Sequence, residues 1–186
     1  MSTRAILAYP YRDGYKGAWV WSDGMPSSIK PILKLSADSA KKAKFLVQLG
    51  NISALMTKQD LALLAKGFPN TQWVHCKVFK SKEALNMFLD KNTQYKNNWY
   101  AELRSGLCLL GDKTMEEVQT ISRNAVYFVT EIGESNYAIQ QLHNIQFKPN
   151  DSVQYVYYPN IQEMLNQDIN YVYVYNVEKN TWRMHQ

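Results

Sequence analysis

Residues 19–33 change the chain's hydrophobic period, and they constrain its fold more than any other stretch. Trp19, Val20 and Trp21 read as the end of a strand, whereas Ile29, Ile32 and Leu33 recur at the spacing of one helix face. Between them Ser22-Asp23-Gly24 is a turn signal. Glycine reaches positive φ without steric cost, and an Asp carboxylate can bond backbone N–H groups two or three residues on. Pro26 suits a turn or a first helical position, and Ser27 or Ser28 can cap a helix that begins there. The stretch is a hinge between an N-terminal hairpin and a helical part.

The hairpin is predicted from strands at 3–9 and 18–21. Its loop, 10–17, is long and carries Tyr11, Arg12, Tyr15 and Lys16 around the turn dipeptide Asp13-Gly14. Ser36 or Asp38 is expected to cap a helix running to Leu49, with Gly50 just beyond it. Residues 51–56 read as a connector. Thr57-x-x-Asp60 opens a helix that Gly67 stops, and 72–79 alternates as a strand. Ser81 caps a further helix to Asp90. Later strands are predicted at 99–103, 107–110, 125–132, 137–142, 152–158, 170–177 and 181–184, with short helices at 115–122 and after Asn160. Hairpins interspersed with short helices favour the α+β class, with antiparallel sheets and helices packed on them, over a doubly wound α/β sheet. At 186 residues the chain suits a single globular domain, 1–186, with 92–98 as the place where it could divide.

The net charge of +5 is unevenly spread. Residues 1–93 hold 14 Lys and Arg against 6 Asp and Glu; residues 94–186 hold 7 against 10. A basic half suits nucleic acid or another acidic surface, although lysine-rich solvated helix faces such as that of Lys41, Lys42 and Lys44 give the same imbalance. The apolar run near the N-terminus, about five residues, is shorter than the roughly 7–15 of a signal-peptide core. No run approaches the ~18 apolar residues of a membrane span, so no membrane partner is expected. Cys76 and Cys108 lie far apart among apolar neighbours and read as buried thiols of a reducing, cytoplasmic compartment.

The sequence lacks the phosphate-cradling G-x-x-x-x-G-K-[ST], the dinucleotide G-x-G-x-x-G after a strand, the nucleophile elbow G-x-S-x-G and the zinc motif H-E-x-x-H. His75, His143 and His185 share no ligand spacing with each other or with the cysteines, so neither a metal nor a cofactor is expected. His75 and Cys76 are adjacent on a predicted strand and point to opposite faces, which separates them as a base–nucleophile pair. Two patterns remain as candidate sites. Tyr155 and Tyr157 share one strand face, and Tyr171, Tyr173 and Tyr175 share another. If those strands are neighbours, they form a surface on which bases or sugars stack, with Lys41, Lys42 and Lys44 as phosphate contacts; the ordinary alternative is a stripe packed under a helix or a second subunit. Asp13 and Asp23, with Arg12 and Tyr15, would make an alternative pocket if the two carboxylates converged.

Ser2-Thr3-Arg4-Ala5-Ile6-Leu7-Ala8, followed by Gly17-Ala18-Trp19-Val20-Trp21-Ser22-Asp23-Gly24-Met25-Pro26, resembles uncharacterised bacterial and phage proteins that open S-T-R-A-x-I-A and continue with a G-x-Y-V-H-W-D-G-Y-P-like segment. About a third of the chain is covered, including the closing run Tyr171-Val172-Tyr173-Val174-Tyr175. Asp23, Gly24 and Pro26 match that pattern, whereas Trp21 stands in place of its His, Ser22 of its Trp and Met25 of its Tyr. The resemblance implies a bacterial or phage setting and the turn, but no reaction. The expectation is a cytoplasmic binding or interaction module with a nucleic-acid or protein partner, or one that forms a homodimer through its Tyr strands. An enzyme with the Asp13/Asp23 pocket is the alternative.

Overall fold

The computed structural model describes residues 2–95, 98–102, 108–114, 116–117, 126–141 and 156–186. It is an α+β fold of two sheets. The first is built from β1 (Ala5–Tyr11), β2 (Gly14–Val20), β9 (Val156–Tyr158), β10 (Tyr171–Asn176) and β11 (Thr181–His185), in the order β11-β10-β1-β2-β9. The second has the order β3-β8-β7-β4-β6-β5, from β3 (Ala54–Thr57), β4 (Gln72–Phe79), β5 (Asn98–Glu102), β6 (Cys108–Thr114), β7 (Val126–Gly133) and β8 (Asn136–Gln141). Each sheet carries one parallel pair among antiparallel ones, β1 with β10 and β4 with β7. The sheets are therefore mixed rather than purely antiparallel.

The expected long loop of the first hairpin is instead a tight turn at Arg12-Asp13, with Arg12 at φ 54°. Tyr11, Tyr15 and Lys16 are strand residues, because Tyr9, Pro10 and Tyr11 continue the pairing to Gly14. Helix α1 (Pro26–Ser36) starts without a side-chain cap and continues through Pro31. Burial of Ile29, Ile32 and Leu33 on one face outweighs the proline's missing donor. Helix α2 (Ala40–Gln48) is capped by Ser39, whose hydroxyl accepts from Lys42 N–H. Ser36, one of the two expected caps, is buried and donates instead to the Gly133 carbonyl.

The other caps follow the sequence. Thr57, Ser81 and Asn160 cap α3 (Lys58–Gly67), α4 (Lys82–Lys91) and α5 (Ile161–Leu165). Thr114 and Glu117 exchange the reciprocal bonds of a capping box. The rest of that expected helix, and the first part of the strand predicted at 152–158, lie outside the described residues. The connector predicted at 51–56 contains a strand, β3, which pairs with β8 from Ala54 to Thr57.

One apolar core joins the sheets. Ala5, Leu7, Ala18, Val20 and Tyr173 of the first sheet pack with α1, α2 and with Leu55, Ile132 and Ala138 of the second. The opposite face of the first sheet, with Ile6, Ala8, Val172 and Val174, packs on Met164 of α5 and on Tyr158. Backbone bonds carry the chain from one sheet to the other: Trp21 N–H donates to Ile52 C=O, and Ser22 N–H to Ser53 C=O. Among the described residues no helix is long and apolar enough to cross a membrane.

Candidate functional site: an aromatic cleft on the second sheet

Among the described residues, the face of the second sheet that turns away from this core is open at one end. Residues paired across strands point to the same side, so Trp73, Tyr127 and Gln141 form one row over β4, β7 and β8. Ile139 and Ala54 form the next row, over β8 and β3. The Trp73 and Tyr127 rings stack at 5.2 Å. Two elements rise around this floor. One is the turn Trp21-Ser22-Asp23; the other is α3, through Leu64 and the following Phe68. They enclose a cleft of about 750 Å³, within the usual range for small-molecule sites of roughly 300–1,000 Å³. A second cleft of about 710 Å³ continues from it along α1 and α3, with Asp23, Met56, Leu64 and Phe68 shared by both.

The turn that forms one wall is tightly fixed. Asp23 has φ 58°, a left-handed conformation that Asp tolerates better than most residues. Gly24 N–H donates to the Thr3 carbonyl. The Gly24 carbonyl accepts a 2.8 Å bond from the buried Tyr173 hydroxyl. A Cβ at Gly24 would sit 2.8 Å from both Thr3 O and the Ala5 methyl, so glycine is required here by contact. Among the described residues the Asp23 carboxylate has no hydrogen-bond or ion-pair partner. Trp21 packs against Trp19 at 5.0 Å, and the Arg4 guanidinium lies 5.6 Å from its ring centre. Arg4 also pairs with Asp168.

The other wall is lightly anchored. Helix α3 has no fully buried residue, and Leu63 and Phe68 are 70% and 59% exposed. Among the described residues the indole N–H groups of Trp21 and Trp73 lack an acceptor and are shut off from solvent. Leaving such a donor unmade costs about 1–3 kcal/mol.

The residues singled out in the sequence fall elsewhere, Asp23 excepted. Tyr173 and Tyr175 are fully buried. Burial pushes both hydroxyls above the usual tyrosine range. Tyr175 donates to Asn180, stacks on Tyr9 at 5.8 Å and meets Trp182 edge-on. Tyr171 is half-buried against the same core. Strands β9 and β10 are not neighbours, since β1 and β2 lie between them. The expected continuous tyrosine surface is therefore interrupted and mostly packed. Tyr157 is exposed, and Tyr155 lies outside the described residues.

Asp13 and Asp23 do not share a pocket: they occupy opposite ends of β2, whose seven residues hold them on the order of 20 Å apart. Asp13 accepts a 2.5 Å bond from the Tyr157 hydroxyl, which lowers the pKa of its carboxyl, with help from the backbone of its own turn. Arg12 lies over the Tyr11 ring at 5.1 Å, and Tyr15 packs towards α5. Lys41, Lys42 and Lys44 are exposed on α2, where Lys42 pairs with Asp38 at 3.1 Å.

Among the described residues the remaining chemistry-bearing side chains do not assemble. Cys76 forms no disulfide, and burial pushes its thiol pKa up to about 12, which disfavours the thiolate. His75 is exposed, His185 is half-buried on β11, and His143 lies outside the described residues. Among the described residues no cluster of His, Cys, Asp and Glu has metal-site geometry.

Of the cleft, the sequence marks only the Trp21–Asp23 turn. Trp73, Tyr127 and Phe68 escape notice there, because nothing in their spacing shows that strand pairing and α3 bring them to one place. Comparison with protein families, curated proteins and solved structures finds no match.

Proposed function

We propose that the protein is a binding module and that its ligand seats in the aromatic cleft bounded by Trp21, Trp73, Tyr127 and Phe68. One observation carries this reading: a small-molecule-sized, aromatic-walled cleft between a fixed turn and a lightly anchored helix. Among the described residues, the lining offers stacking surfaces and one carboxylate, and no nucleophile paired with a base. That favours holding a ligand over transforming one. A reducing, cytoplasmic setting and a bacterial or phage source belong to the same proposal. The free Cys76 thiol supports the first, and the resemblance around residues 2–8 and 17–26 supports the second.

The test is a titration of the isotope-labelled protein with small aromatic compounds of differing charge, followed through its five tryptophan indole signals. Binding should move the signals of Trp21 and Trp73 first and weaken severalfold in Phe68→Ala. A labelled oligonucleotide is the competing arm. Salt-dependent binding of the oligonucleotide, reduced by Lys41/Lys42/Lys44→Glu and silent at Trp73, would move the function to α2 and overturn the cleft.

A further inference from the structure

Charge separates the cleft from the rest of the molecule. The chain carries a net charge of +5, yet among the described residues lining the two joined clefts there is no Lys, Arg or His. The charged side chains that do line them are Asp23, at the junction, and Asp60, in the first turn of α3. Neither carboxylate has an ion-pair partner among the described residues. Asp23 is presented by a turn fixed through Thr3, Ser53 and Tyr173, so its position owes nothing to a flexible loop.

The walls add a second, independent preference. An aromatic face attracts a cation through its ring quadrupole, most strongly for Trp, and the attraction grows where water is excluded. Trp21 already shows this with Arg4, whose charge is met by Asp168 and so is not spare to neutralise Asp23. An anion would meet two carboxylates and find no donor side chain of opposite charge. A neutral ring could stack but would gain nothing from Asp23, whose carboxylate is exposed at the junction of the two clefts. We infer that the cleft takes an organic cation: an ammonium group on an aromatic or apolar body, with the body between Trp73, Tyr127 and Phe68 and the charge at Asp23.

This inference rests on the cleft being the binding site, and the experiment separates the two. Phenethylamine, phenethyl alcohol and 3-phenylpropionate share one body and differ in charge. Each is titrated into the labelled protein while the Trp21 and Trp73 indole signals are followed. The amine should bind at least about tenfold more tightly than the alcohol, and the acid most weakly. Asp23→Asn, which keeps the left-handed turn conformation, should bring the amine's affinity down to about that of the alcohol. Equal affinities for amine and alcohol in the unsubstituted protein would overturn the cation and leave the cleft standing. Perturbation of neither indole by any of the three would overturn both.

Discussion

The two sheets use aromatic residues in opposite ways. In the first, Tyr173 and Tyr175 sit on a strand between β1 and β11 and are closed from solvent, Tyr173 in the core with α1 and Ala37 and Tyr175 against Tyr9 and Trp182. In the second, Trp73 and Tyr127 pair across β4 and β7, and among the described residues the Asp23 turn and the lightly packed α3 are what rises beside them. Both places offer aromatic rings on a sheet face; what differs, among the described residues, is how much chain is laid over each. The lesson is that aromatic residues on a sheet face become core or open cleft according to their cover.

If the first sheet is the structural half of this comparison, substitutions there should cost stability. Tyr173→Ala removes a fully buried ring and leaves the Gly24 carbonyl without its donor. It should destabilise the fold by about 3–5 kcal/mol, read as a shifted urea midpoint. Gly24→Ala tests the joint between the halves. Its methyl meets backbone at 2.8 Å, so a loss of about 1–3 kcal/mol is expected, together with weaker binding in the cleft.

A third prediction uses pH. Burial raises the Tyr173 hydroxyl pKa in the folded state, while the unfolded chain titrates near ~10. The unfolded state therefore loses its proton first, and this contribution to stability is present below pH ~10 and lost as pH rises above it. Urea midpoints from pH 8 to 11 should fall, and Tyr173→Phe should flatten the slope. The smallest stability effect belongs to the second sheet's side. Phe68→Ala, at a residue 59% exposed, should change stability by no more than about 0.5 kcal/mol while weakening ligand binding. A large stability loss there would make the cleft wall part of the core and remove the contrast.

Local signals are legible in the sequence wherever a single side chain sets the backbone. Thr57, Ser81, Asn160 and the Thr114/Glu117 pair each satisfy orphan N–H groups within four residues, and spacing alone locates all of them. The cap of α2 lies a few residues from where the sequence suggests it, because Ser36, Asp38 and Ser39 are locally equivalent. Only the distant Gly133 and Asn136, which bond Ser36, break the tie. The parallel pairs and the separation of β9 from β10 are beyond reach, since alternation gives a strand its two faces but not its neighbours. The cleft is hidden for the same reason: Trp21, Phe68, Trp73 and Tyr127 meet only through the β4–β7 pairing and the placement of α3.

The pairing of β1 with β10 bears on how the chain is made. Arg4 and Asn170, joined by a hydrogen bond at the end of that pair, are 166 positions apart. Contacts so remote in sequence form late, because a long loop must be closed before they return any free energy. During synthesis the β1–β2 hairpin therefore waits with the β10 side of β1 unpaired and with Ile6 and Ala8, the face that α5 later covers, exposed. In that interval β1, an interior strand of the finished sheet, presents an edge open to mispairing with another nascent chain.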